Sequence, residues 1–120
     1  MPWPDRRALA GLALLWSASA TAEPPPAFDT CLGCHIVEGR GSGMPGPSLA
    51  GLFGRPVAGS QDFDYSPALQ AARAHGLVWD ADLLDRYLTD GQAVFPGNWM
   101  ALDVRDAADR AAIIAYLADR

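Results

Sequence analysis

The chain has 120 residues, half of them hydrophobic, and a formal net charge of −5. That length allows one small domain. Fourteen Asp and Glu stand against nine Arg, with no Lys. Nucleic acid and anionic lipid would both repel such a chain, which excludes them as partners.

The first 22 residues read as a signal peptide: Arg6 and Arg7, the apolar run Ala8 to Trp16, then Ala20-Thr21-Ala22 as a small-x-small cleavage site. The apolar run is shorter than the roughly 20 residues that span a bilayer; retention as an anchor is the alternative. Export predicts a periplasmic domain over residues 23–120. It keeps seven Arg against thirteen Asp and Glu, which points to redox partners with a basic docking face. Its cysteines would meet an oxidising compartment.

"EPPPAF" opens this domain, and its prolines allow a helix to begin only near Pro26 or Ala27. A helix of two or three turns carrying both cysteines is therefore expected. Residues 38–65 show no sustained period and read as loops, packed where Leu49, Leu52, Phe53 and Phe63 turn inward. Ser66-Pro67 is a helix start that runs to His75-Gly76. A second helix begins at Asp80, with Leu83, Leu84, Tyr87 and Leu88 on its apolar side and Gly91 as its stop. Residues 91–102 read as a loop around a Pro-Gly turn. The last helix opens at Asp106, with Asp109 as a weak capping box, and buries Ile113, Tyr116 and Leu117. The fold class is all-α: about four short helices and long loops.

Cys31 and Cys34 are the only cysteines, and His35 follows directly. A disulfide between them would close too short a loop to remove much chain entropy. A thiol-redox site normally accompanies a βαβ pattern, which is absent. Zinc needs four ligands, and His35 and His75 complete no recognisable spacing. The remaining reading is covalent attachment of one c-type haem, for which Cys-x-x-Cys-His is the signature. On one helical turn the two thiols reach the two vinyl groups, and His35 offers its imidazole to the iron.

The candidates for a sixth iron ligand are Met44, His75 and Met100. Met44 follows His35 by only nine residues, a short span to wrap around a porphyrin edge. His75 sits at a helix end, where an imidazolium is favoured without any metal. Met100 lies 65 residues after His35, ample chain to cross to the other face. Core packing is the ordinary use of a lone Met. As a ligand opposite His it raises the reduction potential and blocks small molecules, which suits electron transfer.

"CLGCH", "GPSLAGLFGR", "FDY", "DRYL", "FPGNWM" and "IIAYL" follow one another between Cys31 and Leu117. In that order they resemble the class I c-type cytochromes, in the branch of mitochondrial cytochrome c and bacterial cytochrome c2. The resemblance implies that the Pro47 carbonyl accepts the other ring N–H of His35. It implies that Arg55, Tyr65, Trp79 and Asn98 serve the haem propionates, and that the Tyr87 hydroxyl lies near the Met sulfur. Ordinary aromatic core is the alternative for the three aromatics.

Three departures stand out. Pro24 occupies the place of a small residue in the family's first helix, which puts the crossing of first and last helices in question. The family's lysine-rich docking ring is absent. Trp99 stands where Lys is usual, and is expected as an exposed apolar docking contact near the haem edge. The function expected is that of a monomeric, soluble one-electron carrier and not an enzyme. The alternatives are a dedicated subunit of a periplasmic dehydrogenase and a small haem peroxidase.

Overall fold

The computed structural model describes residues 23–40 and 43–120, together with Gly11 and Ala13. The expected signal peptide lies, but for those two positions, outside the described residues. Four α-helices follow a 3₁₀ turn at Pro26–Phe28: α1 (Pro67–Ala74), α2 (Ala81–Thr89), α3 (Gly91–Val94) and α4 (Ala107–Ala118). No helix among the described residues is long and apolar enough to cross a membrane.

The cysteine-bearing segment differs from its predicted form. Beyond Phe28 the chain advances by i→i−3 bonds: Cys31 N–H to Phe28 O at 2.9 Å, Leu32 to Asp29 at 3.3 Å and Cys34 to Cys31 at 3.1 Å. Only the His35 N–H to Cys31 O bond, at 2.9 Å, has α-helical spacing. The cause is local. Three consecutive prolines withhold N–H donors, and so short a stretch cannot offset the cost of an α nucleus. Tight 3₁₀ turns are the cheaper solution.

The later helices begin and end on side-chain chemistry. Ser66 caps α1 by accepting from Leu69 N–H at 3.3 Å, and Gly76, at φ 77°, turns the chain out of it. Asp80 caps α2 through Leu83 N–H at 2.7 Å. Asp106 caps α4 through Ala108 and Asp109 N–H, at 2.8 and 3.0 Å. The stop of α2 is not Gly91, as the sequence suggested, but Asp90. Its extended backbone ends α2 while its carboxylate caps α3 through Ala93 N–H at 3.1 Å. Gly91 opens α3 and is buried there. A Cβ at Gly91 would meet the Tyr87 ring at 3.4 Å, an ordinary packing distance.

The core joins the two ends of the domain. α4 packs on α2 and on the Pro26–Phe28 turn. Phe28 is fully buried, and its ring lies 4.9 Å from that of Tyr116, centroid to centroid. The crossing of first and last segments thus survives the prolines, made by a turn in place of a helix. Arg110 ties α4 to α2 through Asp85 at 2.8 Å and donates to the carbonyls of Val104 and Arg105, both at 3.0 Å. The long loop is pinned by an isolated antiparallel bridge between Pro56 and Val78.

Because Phe28 is the buried residue of the turn that α4 packs on, Phe28→Ala should cost about 3–5 kcal/mol of folding free energy. Chemical unfolding of the loaded protein measures it. A loss below about 1 kcal/mol, typical of a surface change, would contradict the packing role.

Candidate functional site

A cavity of about 330 Å³ opens in the middle of the domain, within the roughly 300–1,000 Å³ range of small-molecule and cofactor sites. Cys31, Cys34 and His35 line it from the N-terminal turns, and Pro47 and Arg55 from the long loop. Leu84, Tyr87 and Leu88 reach it from α2, and Trp99, Met100 and Leu102 from the loop after α3. Met44 and His75, the other candidate ligands, do not line it.

His35 is held on two sides. Its Nδ1 lies 2.7 Å from the Pro47 carbonyl. A carbonyl can only accept, so Nδ1 carries the proton and Nε2 keeps its lone pair. Burial pushes the imidazole below its ordinary pKa, with the Pro47 bond opposing more weakly. Gly46 forms the second side. A Cβ there would fall 2.7 Å from His35 Nδ1 and 2.9 Å from Nε2, and would also strike Cε1. The ring therefore rests against bare backbone. The Gly46 N–H donates to Cys34 O at 2.8 Å, which closes the loop on the cysteine segment.

Cys31 is buried and Cys34 exposed, and no disulfide joins them. Burial pushes the Cys31 thiol up in pKa, Thr30 opposes through a hydrogen bond, and the neighbouring Cys34 adds to the rise. Among the described residues no three His, Cys, Asp or Glu side chains gather as a metal-binding cluster.

Arg55 donates to Ala50 O at 3.0 Å and Ser48 O at 2.9 Å. Its Nε is buried without a partner. The Tyr65 hydroxyl accepts from Ser60 N–H at 3.0 Å, leaving its own proton to donate. Trp79 lines the cavity and meets the rings of Tyr87 and Phe95 edge-on, at 5.3 and 6.2 Å.

Asn98 is placed differently from its expected role. It is buried but does not line the cavity. Both amide hydrogens are taken by carbonyls, Gly91 O at 2.9 Å and Phe95 O at 3.0 Å, so none is left to donate to a propionate. The Tyr87 hydroxyl likewise donates to Asn98 Oδ1, at 3.1 Å. Burial and the nearby Asp103 carboxylate push Tyr87 up to about 12, so this donor stays protonated at neutral pH.

Cytochrome c2 iso-2 of Magnetospirillum fulvum is 43% identical over 97 residues, covering 80% of this chain and 97% of the relative. Cytochrome c2 of Rhodomicrobium vannielii is 37% identical over 117 residues, covering 92% and 91%. Among solved structures, cytochrome c2 from Rhodospirillum centenum matches with a TM-score of 0.73 at 26% identity, over 78% of this chain and 91% of that one. No family model matches. The chain belongs to the class I c-type cytochromes, in the c2 branch. It is a monohaem electron carrier whose cofactor is one covalently attached haem c, and the Cys31-x-x-Cys34-His35 motif is consistent with that attachment.

The residues present fit that group. A wall of apolar side chains suits the porphyrin. The orphaned Nε of Arg55 is a buried donor that needs an acceptor such as a carboxylate. The seat at Gly46 presents one imidazole nitrogen and occupies the other. Gly46 itself had no assigned role in the sequence reading. Its only local signal is that it precedes Pro47 inside a matching motif, whereas its contact with His35 is tertiary.

Gly46→Ala should destabilise the loaded protein by about 1–3 kcal/mol, as overpacking does. Gly33→Ala is the control, since a Cβ at Gly33 meets only Thr30 O, at 4.0 Å. Thermal unfolding of the two variants compares them; equal midpoints would refute the seat.

Proposed function

We propose that the chain is a soluble, monomeric, periplasmic carrier of single electrons and not an enzyme. In this reading Cys31 and Cys34 would hold the haem as thioethers, and His35 and Met100 would ligate its iron. When bound, the haem supplies a reversible ferric–ferrous couple, and the protein's task is to hold it unchanged through the cycle.

His35 is oriented by Pro47 and kept neutral by burial, so Nε2 donates without waiting for a proton to leave. Met100, from the opposite end of the chain, meets His35 at one cavity. That convergence is the observation carrying the proposal, because two protein ligands leave no open position for oxygen or peroxide. Arg55, Tyr65 and Trp79 would receive the propionates: a buried cation and neutral donors offset the cost of taking carboxylates out of water. Leu52, Leu84 and Leu88 are buried on the cavity wall and would exclude solvent from a bound haem.

The docking surface follows from charge and exposure. Arg55, Arg73, Arg86, Arg110 and Arg120 are each engaged by carbonyls or carboxylates. Acidic groups therefore dominate what a partner meets. Trp99 is 66% exposed and Leu102 38%, and both line the cavity. The surface fits a redox protein whose electron-transfer face has an apolar recess ringed by cations.

Intact-mass measurement of the denatured protein should show one haem per chain, lost when Cys31 and Cys34 are both replaced by Ser. Met100→Ala should bind carbon monoxide in the ferrous state, which the parent protein excludes. A parent protein that binds it readily would sink the two-ligand reading. Separately, Trp99→Ala should weaken productive docking about tenfold, near 1.4 kcal/mol. Raised ionic strength should slow transfer further. Unchanged kinetics with the native partner would remove Trp99 from the interface.

A further inference from the structure

The loop that presents Met100 is organised by the side chain of Asn98. An amide has two hydrogens to give and one oxygen able to accept twice. All four capacities are used in a residue only 6% exposed. Nδ2 donates to Gly91 O and Phe95 O at 2.9 and 3.0 Å, while Oδ1 accepts from the Tyr87 hydroxyl and Met100 N–H, both at 3.1 Å. The partners fix which end of the amide is which, because carbonyls require donors and a backbone N–H requires an acceptor.

The main chain of Asn98 is held as well. Its N–H donates to Phe95 O at 3.0 Å, and its carbonyl accepts from Gln92 Nε2 at 2.9 Å. Gln92 Oε1 takes Gly97 N–H at 3.0 Å, so one side chain clamps both flanks of the Pro96-Gly97 turn. Residues 91–98 are thereby closed on themselves and tied to α2 through Tyr87. Among the described residues two bonds join this unit to the chain beyond it, Gly91 N–H to Asp103 Oδ1 at 3.3 Å and Met100 N–H to Asn98 Oδ1 at 3.1 Å, and the second holds the backbone of Met100.

We propose that Asn98 is the positioning residue for the Met100 thioether, and that its network sets how strongly Met100 resists replacement by another ligand. The inference rests on Met100 being an axial ligand. It assigns Asn98 no contact with the haem. The primary amide meets the requirement: Asp is isosteric but would face two carbonyl oxygens with no hydrogen to give, and Thr has a single hydroxyl for four partners.

The test is competition by free imidazole for the sixth position of the ferric holoprotein, read in its absorption spectrum. Asn98→Asp should raise the apparent imidazole affinity at least about tenfold and weaken the thioether-to-iron absorption at the red edge. Gln92→Ala, which frees Gly97 and the Asn98 carbonyl and keeps the amide, should move affinity the same way by about threefold. A merely structural Asn98 would lower the unfolding temperature and leave imidazole affinity within about twofold of the parent; that result overturns the proposal. If Asn98→Asp does not fold, Gln92→Ala decides, and an unchanged affinity there is equally fatal. Met100→Ala separates the two levels. It should abolish the red-edge absorption, and its persistence would refute ligation by Met100 itself.

Discussion

A small domain whose core must leave space in its own middle faces a constraint that shapes everything else. Leu52, Leu84, Leu88, Ile113 and Leu117 are buried and still line the cavity. They are packed against one another on one side only. The missing contacts on the other side are dispersion and burial that the protein cannot provide for itself. The cofactor is in that sense part of the core. The rest of the chain is arranged as supports around its rim: the Phe28–Tyr116 crossing, the Arg110–Asp85 tie and the Pro56–Val78 bridge. None of these supports needs long helices, which agrees with a chain rich in Gly and Pro.

What could be read from the sequence was the chemistry that acts locally. Ser66, Asp80 and Asp106 cap helices by bonding to N–H groups two or three residues on, so neighbouring letters suffice to find them. The buried stripe of α4 and the meeting of Met100 with His35 at one cavity were legible for related reasons, one from period and one from motif order. Three features were not. The cysteine segment was read as α-helix because its attachment motif suits one, whereas the prolines before it decide the hydrogen bonding. Gly91 reads as a stop because glycine usually is one, whereas the extended backbone of Asp90 ends α2 one residue earlier. Asn98 was assigned by its place in a familiar motif, while its partners lie two to eleven residues away and are visible only after folding.

The two faces of the molecule obey different rules. Inside, most polar groups among the described residues are engaged, while the Nε of Arg55 is buried without a partner. Outside, the carboxylates outnumber the cations, and most of the latter are already held. The interior pattern is that of the c2 branch, while the surface lacks any lysine. Similar electron carriers can therefore share a redox centre and still sort to different partners, because the centre and the docking face are built from separate residues.

The unequal exposure of the two cysteines bears on the order of maturation. Cys31 is 7% exposed in the folded chain, and burial raises its thiol pKa. Cys34, three residues on, is open to solvent. Were the fold to close first, Cys34 would stay open to solvent while Cys31 could be approached only from the cavity that it lines. Attachment while the turns around Phe28 are still open would avoid that restriction. Anything that hastens collapse of this crossing before attachment would impose it, however much it stabilised the end product.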